Sequence, residues 1–579
     1  MPRQLGRLVR PLRFAKLGAL LLYVAACGGG VPLPGGEGAK SPPGGGASGG
    51  REGQSPPGAA PGSMGGADPA AAECRPGTPW AAPIRRLSRS EYDNTVRDLL
   101  GEDSTPGQLF PPDEVAGGFS NNARLLSVSP LLAEKYQEAA ERLAASAVAP
   151  ERLGQLVDCA PAQGDEACAR RFVTTFGLRA YRRPLASEEV DRLLSLYALG
   201  SSGQGGSFAE GIEVVLRAML QAPTFLYRLE SAPAGGGRLD PYEVASRLSY
   251  FLWGTMPDQR LFEAAGRDAL GTKEEILAMA QTMLEDPRAH AGISDFFEQW
   301  LGTAGLQTLE KDAAAYPEWN EGLRAAMREE TRAFVADLVL GDARSLGALL
   351  SARRGFLRPE LAKLYGVSDP AAPDTATVLP EERAGILTHA GLLAVHALPD
   401  QSSPVHRGKL VRERLLCQDM PPQPPDLMIT APEVDPSKST RERFAEHASN
   451  PACSSCHLLM DPIGFGFEAY DGIGRFRRQE GGADIDTAGE LVGTRDANGR
   501  FEGVAELSAR LAKSGEVQDC VATQWYRYAM GRFEGPGDAC ALRDIRQAFA
   551  SSEQDLRALL LALIGGETFL FHPSAKEAP

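Results

Sequence analysis

Residues 239–258, LDPYEVASRLSYFLWGTMPD, indicate most clearly how this chain folds. Asp240, followed by a proline, predicts a helix start, because its carboxylate can accept the backbone N–H bonds of the first turn. Leu248, Phe251 and Leu252 then recur at helical spacing, so the segment presents one apolar face. The stretch therefore predicts an amphipathic helix that packs against other helices.

The same start signal recurs elsewhere in the chain. Ser88 precedes Glu91 by three residues, and Thr272 precedes Glu275 in the same way, each ahead of an apolar helical pattern. Alternating runs of Val, Ile and Thr are almost absent, and proline pairs separate the helical stretches. We therefore expect a mainly α, multi-module helical protein with long loops.

Length and charge limit the possible functions. At 579 residues the chain is too long for a single core. Its net charge of −15, from 60 basic and 75 acidic residues, argues against nucleic acid as a partner. Residues 28–73 contain 16 glycines and 8 prolines and no aromatic residue, a composition typical of a disordered tether.

The N-terminus has the pattern of an export signal. Five basic residues precede the apolar run LGALLLYVAA at 17–26, which as a helix would span only about 15 Å, half of a bilayer core. The run ends in VAAC, which resembles the lipobox of bacterial lipoproteins. We expect a signal peptide at 1–26, lipid on Cys27, a tether over 27–73 and a lipid-anchored location in the cell envelope, periplasmic or at the outer membrane. A plain cleavable signal peptide is the alternative.

One short motif combines spacing with a specific chemistry. In PACSSCHLLMDPIG, Cys453 and Cys456 are separated by two residues and His457 follows directly. Two thiols one helical turn apart can add to the vinyl groups of a haem while the adjacent imidazole binds the iron. With one such motif, we expect one covalent haem c per chain.

Two other interpretations of this motif remain open. A redox-active disulfide would need a βαβ context, which this helical chain lacks. A structural zinc site would need a fourth ligand besides Cys453, Cys456 and His457, and His447 could supply it.

The sixth iron ligand decides what such a haem can do. Met460 lies three residues after His457 and so on the same side of the haem. His447 and Met530 are the candidate distal ligands, and an open position is the third option. A filled site favours electron transfer, whereas an open one permits chemistry on a small molecule.

Charged residues around the motif also have two possible roles. Arg407, Arg475 and Arg477 could pair with the propionates of a haem. Alternatively, they could hold a loop through Asp461 and Asp471.

Of the nine cysteines, six remain after lipid and haem are assigned. Cys159 and Cys168 close a short loop, and Cys520 and Cys540 flank a predicted helix and turn, so both pairs are candidate disulfides. Cys74 and Cys417 would be left over, and sequence alone allows any of the fifteen pairings of six.

Several longer motifs resemble a known family. They are RLSRSEYDNTVRDLLG (86–101), RAYRRPL (179–185), QAPTFLYRLE (221–230), LDPYEVASRLSYFLWGTMPD (239–258), SPVHRGKLVRERLLCQDMPPQPP (403–425), HASNPACSSCHLLMDPIGFGFEAYDGIGRFR (447–477) and CVATQWYRYAMGR (520–532). Their order resembles that of the large haem-motif proteins of planctomycetes and myxobacteria, which are built from five successive domains of unknown function and are often labelled planctomycete-type cytochrome c.

This resemblance implies an exported helical protein with one cytochrome c-like haem motif between the fourth and fifth modules. It also offers Cys417 as the partner of Cys520, since both lie in strong family motifs. It implies no known substrate. The five modules are expected at 83–147, 160–202, 207–340, 345–490 (with the motif) and 500–573.

Three functions are consistent with the sequence. The first is an anchored, extracytoplasmic c-type cytochrome-like protein that exchanges electrons with a partner oxidoreductase. The second is a haem enzyme with an open iron site, acting on peroxide, oxygen or an organic substrate. The third is a non-catalytic lipoprotein scaffold with zinc or a disulfide at the Cys-x-x-Cys pair. Enzymatic activity is therefore left undecided.

Overall fold

The computed structural model describes residues 84–159, 165–202, 206–230, 237–420, 432–435, 437–448 and 451–572. The expected signal peptide at 1–26, Cys27 and the tether at 27–73 lie outside these residues. Helices dominate the described part, and its strands form only two-stranded antiparallel ladders, which confirms the mainly α fold. None of the described helices combines the length and the apolar character that a membrane span requires.

The helix starts expected from the sequence are present. The side chains of Ser88, Asp240 and Thr272 each accept the N–H of the residue three positions on, and a glutamate there bonds back to the cap. These reciprocal bonds satisfy donors that a helix leaves unpaired at its first turn. The local signals in the sequence therefore set these three boundaries.

The N-terminal part of the chain forms a helical bundle closed by a short ladder. Its elements are β1 (Arg85–Arg86), α1 (Arg89–Leu100), α2 (Pro130–Ala147), α3 (Pro150–Leu156), α4 (Glu166–Tyr181), α5 (Ser187–Ser201), α6 (Phe208–Gln221), α7 (Pro223–Leu226) and β2 (Tyr227–Arg228). Helices α2, α4, α5 and α6 enclose one apolar core. Strand β1 pairs antiparallel with β2, which places Arg85 opposite Arg228.

The middle of the chain adds a second group of helices. It contains β3 (Gly237–Arg238), α8 (Pro241–Leu252), α9 (Gln259–Gly266), α10 (Lys273–Leu284), α11 (Ala289–Trp300), α12 (Glu321–Leu340), α13 (Leu346–Ser351), β4 (Arg354–Gly355), α14 (Pro359–Tyr365) and β5 (Thr377–Val378). Helices α11 and α12 pack along each other, and β4 pairs with β5.

The segment with the cysteine motif is built from short elements. They are α15 (Ala390–Val395), α16 (Pro404–Leu410), a π-helical turn (Val411–Leu415), α17 (Thr440–Ala448), α18 (Pro451–Gly464), β6 (Gln479–Glu480), β7 (Ala483–Asp484), β8 (Ala488–Leu491) and β9 (Gly499–Glu502). Helix α18 lies between α16, α17 and the β8–β9 hairpin.

The C-terminal helices return to the middle of the molecule. They are α19 (Gly503–Leu511), α20 (Gly515–Met530), α21 (Ala539–Ser551), α22 (Leu556–Ile564) and α23 (Glu567–Leu570), followed by β10 (Phe571–His572). Strand β10 pairs with β3, and Trp525 of α20 stacks on Phe296 of α11 at 3.5 Å between ring centroids. One continuous apolar core therefore joins the middle, the motif segment and the C-terminal helices.

The disulfides confirm one expected pair and correct another. Cys159 is bonded to Cys168, as the short loop predicted. Cys520 is bonded to Cys417 and not to Cys540, because the end of the π-helical turn lies beside α20. The pairing that the family resemblance suggested is thus the correct one, and Cys540 is also disulfide-bonded.

Two glycines allow α16 and α18 to cross in close contact. A Cβ atom at Gly408 would overlap the carbonyl oxygen of Met460, and one at Gly464 would overlap the carbonyl of Pro404. At these two positions the backbones of α16 and α18 are so close that only the hydrogen atom of a glycine fits between them. The orientation of α18, and with it the cysteine motif, depends on this crossing.

We predict that Gly408→Ala and Gly464→Ala each destabilise the protein by about 1–3 kcal/mol, because the added methyl group forces the two helices apart. Gly154→Ala in α3 is the matched control, since a Cβ there meets nothing within 4 Å. It should leave stability unchanged or raise it by up to about 1 kcal/mol. Urea unfolding, followed by circular dichroism, measures the stability of the three variants and of the wild type. Unfolding midpoints for Gly408→Ala and Gly464→Ala equal to that of the control would contradict the tight crossing.

Candidate haem-attachment site

The structure places the whole motif on one helix. Cys453, Cys456 and His457 all belong to α18 (Pro451–Gly464), so the two cysteines are one turn apart, as expected. The side chain of Cys453 lies outside the described part, and that of Cys456 is half-buried. The backbone therefore places the two cysteines at the helical spacing that thioether bonds to two vinyl groups need.

His457 is fixed by a carboxylate on its own helix. Its Nδ1 lies 2.8 Å from Oδ2 of Asp461, four residues on, and the two side chains are 7% and 4% exposed. A hydrogen bond at Nδ1 selects the tautomer and the ring orientation in which Nε2 is the metal-binding nitrogen. Metal-binding histidines commonly have such a carboxylate partner, so the pair fits an iron ligand.

The helix around His457 is held in position from its C-terminal side. Pro462 lies within α18 and lacks the N–H of a regular turn. Arg412, 1% exposed, donates from Nε to the carbonyl of Leu459 at 3.0 Å and so satisfies an acceptor beside this proline. Leu458, next to His457, is 67% exposed and offers an apolar side chain at the surface of the motif.

The arginines near the motif hold the following loop. Arg407 is fully buried and donates to the carbonyls of Phe467, Tyr470 and Asp471 at 2.6–3.1 Å. Arg477 donates to Glu468 at 3.3 Å and to Glu480 at 3.1 Å, and Arg475 pairs with Glu318. Asp471 caps the turn by accepting the N–H groups of residues 473 and 475, whereas Asp461 bonds His457. The loop-holding role is therefore observed, without Asp461 as a partner.

Burial shifts the pKa of two groups beneath this loop. It raises the pKa of Glu468, although Arg407 and Arg477 act in the opposite direction. Glu468 accepts a hydrogen bond from Ser402 Oγ at 2.7 Å. Burial and the nearby Arg407 lower the pKa of Lys311 to about 8, and its Nζ donates to the carbonyl of Leu398 at 2.8 Å.

The candidate distal ligands have different positions. Met530 is 3% exposed at the end of α20, where its neighbour Ala529 accepts a bond from Arg85. His447 belongs to α17, which packs against α18, and its side chain lies outside the described part. Met460 is buried beside the α16 crossing. The choice between His447, Met530 and an open position stays a prediction.

The residues present fit a covalent haem. Cys453 and Cys456 would hold the porphyrin edge and His457 would bind iron through Nε2, with Asp461 behind it. Among the side chains that the structure describes, no group of three His, Cys, Asp or Glu residues is arranged to hold a metal ion. The zinc alternative depends on Cys453 and His447, whose side chains are outside that set.

Sequence reasoning missed the role of Asp461. The sequence offered Asp461 only as a possible partner of arginines that hold the loop, yet it is the hydrogen-bond partner of His457. The signal was present in the sequence as a histidine and an aspartate four positions apart on a helix, a spacing that brings their side chains together.

Comparison with known families gives the architecture. Five family models match in succession, each described as a protein of unknown function: DUF1587 at 85–149, DUF1595 at 168–230, DUF1592 at 239–367, DUF1588 at 383–480 and DUF1585 at 498–569. The motif helix lies in the DUF1588 stretch. No curated protein and no solved structure matches the chain. The five-domain arrangement that the sequence motifs suggested is confirmed, and the chain is a modular protein of these five domains of unknown function.

Proposed function

We propose that this protein is a membrane-anchored, extracytoplasmic c-type cytochrome-like protein that carries one covalent haem and transfers electrons to or from a partner oxidoreductase. The observation that supports this most is the Cys453–Cys456–His457 motif on one helix, with His457 bonded to a buried aspartate. A bound haem would supply a one-electron redox centre.

The residues of α18 have distinct tasks in this proposal. The thiols of Cys453 and Cys456 add to the two vinyl groups and fix the cofactor to the helix. His457 binds the iron, and the Asp461 carboxylate accepts its Nδ1–H and increases the electron density on the ring. The close crossing of α16 and α18 would keep the helix, and with it His457, in place.

The proposed location is supported by the disulfides. Stable disulfides form in oxidising compartments, and Cys159–Cys168 and Cys417–Cys520 are both present. The export signal at 1–26 and the lipid site at Cys27 would carry the protein to the envelope and anchor it there. The net charge of −15 favours a redox partner with a basic docking surface.

We predict that full-length protein, coexpressed with a haem-attachment system in a periplasm, keeps its colour after acid acetone extraction. Mass spectrometry should show one haem per chain. Cys453→Ala with Cys456→Ala should abolish the covalent haem, because no thiol then reaches the vinyl groups. Ser454→Ala, between the two cysteines, is the matched control and should retain it.

Two results would refute this proposal. Purified wild-type protein without covalent haem, but with one equivalent of zinc or with a Cys453–Cys456 disulfide, would favour the scaffold function. Covalent haem retained in the double cysteine variant would show that attachment occurs elsewhere in the chain.

We predict that Asp461 sets the reduction potential through His457. Asp461→Ala should raise the potential by tens of millivolts, because a less basic imidazole stabilises ferric iron less, and a tenfold change in relative affinity corresponds to about 59 mV. Asp461→Asn keeps a hydrogen-bond acceptor but loses the charge. Its reduction potential should lie between those of the wild type and of Asp461→Ala. Asp484→Asn, at an exposed position, is the control for the loss of one negative charge. An unchanged potential in Asp461→Ala would contradict the assignment of His457 as the iron ligand.

We predict a low-spin spectrum that carbon monoxide and cyanide leave unchanged, as expected for an iron with six ligands. His447→Ala should convert it to a high-spin, ligand-accessible form if His447 binds the distal face. Met530→Leu, which conserves side-chain volume, tests the second candidate. A wild-type spectrum that changes with carbon monoxide would refute the electron-transfer proposal in favour of the open-site enzyme.

A further inference from the structure

A polar cavity of about 300 Å³ lies at the junction of the modules. Its walls come from β1, α1, the loop at 121, β2, α8, α11, α12 and the end of α20. None of the residues that line it belongs to α18. Its volume is at the lower end of the range for ligand pockets, equal to roughly ten water molecules.

Two arginines form one wall of the cavity. Arg85 and Arg228 lie directly opposite each other in the β1–β2 ladder and are 6% and 8% exposed. Like charges in this position repel each other and are unfavourable in a folded chain. Burial, and then the charge of Arg228, lower the pKa of Arg85 to about 9.

Nearby glutamates compensate only part of this positive charge. Glu230 is engaged by Arg247 through two bonds of 2.6 Å. Glu91 accepts the N–H of Ser88 in the helix cap and approaches Arg228 to only 3.7 Å. The cavity itself is lined by five arginines and three carboxylates, so an excess of two positive charges remains; these residues are Arg85, Arg97, Arg228, Arg328, Arg332, Glu91, Asp295 and Glu298.

The donors of this wall have few partners. Within the described part of the protein, the Arg85 side chain makes one hydrogen bond, from Nη1 to the carbonyl of Ala529 at 2.9 Å. The Nε of Arg228 and the Oδ1 of Asn121 are buried without any hydrogen-bond partner there. A guanidinium carries five donors, and buried polar groups without partners are rare in native proteins. The unused donors and the excess charge both fit a bound oxyanion.

The other wall carries an acceptor. Asp295 accepts hydrogen bonds at Oδ2 from Tyr528 at 2.6 Å and from Gln299 at 2.7 Å. Burial raises the pKa of Asp295 to about 6, so the group is still mainly ionised at neutral pH. Its Oδ1 has no hydrogen bond within the described residues, and Asp295 lines the cavity.

We propose that this cavity binds a small hydroxycarboxylate. The ligand carboxylate lies between Arg85 and Arg228, where it neutralises the opposed charges and accepts the unused donors. A hydroxyl group of the same molecule donates to Asp295, and another donates to Asn121 Oδ1. The combination of a cationic wall and an acceptor wall excludes simple fatty acids as preferred ligands, because their chains would leave Asp295 desolvated and without a donor.

Four probes distinguish the contributions of charge and hydroxyl groups. Isothermal titration of the full-length protein at low salt compares gluconate with hexanoate, sorbitol and sulfate. Gluconate should bind more than about tenfold tighter than hexanoate, since each lost hydrogen bond to a charged group weakens binding by that factor. Sorbitol lacks the carboxylate and should not bind. Sulfate should bind more weakly than gluconate, because it has no hydroxyl group that can donate to Asp295.

Three variants locate the site. Arg228→Gln should weaken gluconate binding more than about tenfold, whereas Asp295→Asn should bring gluconate and hexanoate closer to equal affinity. Arg267→Gln changes a surface arginine directly after α9 whose side chain is 69% exposed; it is the control and should bind as the wild type does. Gluconate should also raise the thermal midpoint of the wild type and of the control, but not that of Arg228→Gln. These thermal midpoints, together with circular dichroism of each variant without ligand, distinguish a variant that has lost the binding site from one that no longer folds.

Three outcomes would overturn the proposal. One is gluconate that neither binds nor raises the wild-type midpoint at tens of millimolar. Another is gluconate binding that persists in a folded Arg228→Gln. The third is sulfate that binds as tightly as gluconate and is unaffected by Asp295→Asn, which would show a site for inorganic oxyanions.

Discussion

Buried guanidinium groups that donate to main-chain carbonyls hold the irregular parts of this protein together. A mainly helical chain with long loops has many carbonyl groups outside regular structure, and each must find a donor when it is buried. Arg407 supplies three donors to the loop after the motif helix, and Arg247 links α8 to the carbonyl of Phe569 near the C-terminus. The planar fork of arginine reaches several acceptors at once, which a lysine could not do.

Arg228 departs from this pattern, and Arg85 follows it with only one such bond, to the carbonyl of Ala529, which gives the junction its polar character. The neighbouring Arg182 donates hydrogen bonds to the carbonyls of Thr224, Phe225 and Tyr227. The side chain of Arg228 makes no hydrogen bond within the described residues and only stacks on Tyr250 and faces Glu91. Burying a charge without full compensation opposes folding, so the large apolar core must offset its cost. Retaining such a charge at a cavity is consistent with selection for ligand binding.

Local features of this structure could be predicted from the sequence, whereas long-range ones could not. The caps at Ser88, Asp240 and Thr272 and the motif on one helix follow from spacings of a few residues. The Cys417–Cys520 bond joins residues 103 apart, and spacing alone favoured the wrong partner for Cys520. Pairing between β1 and β2 has no sequence signature, because two-residue strands carry no periodicity. The cavity, which depends on this pairing, therefore could not be predicted from the sequence.

The motif helix is fixed by its neighbours as well as by its own sequence. The glycine contacts with α16 prevent α18 from shifting, Arg412 binds its backbone, and Asp461 orients His457 from within the helix. In the proposed function His457 would bind the haem iron, and a histidine held from three directions would change its position little on a change of redox state. Little rearrangement favours fast electron transfer, whereas a catalytic iron needs room for a substrate on its other face. The rigid setting of His457 is therefore one argument for the proposed electron transfer, and the distal ligand of the proposed haem would decide between that function and chemistry on a small molecule.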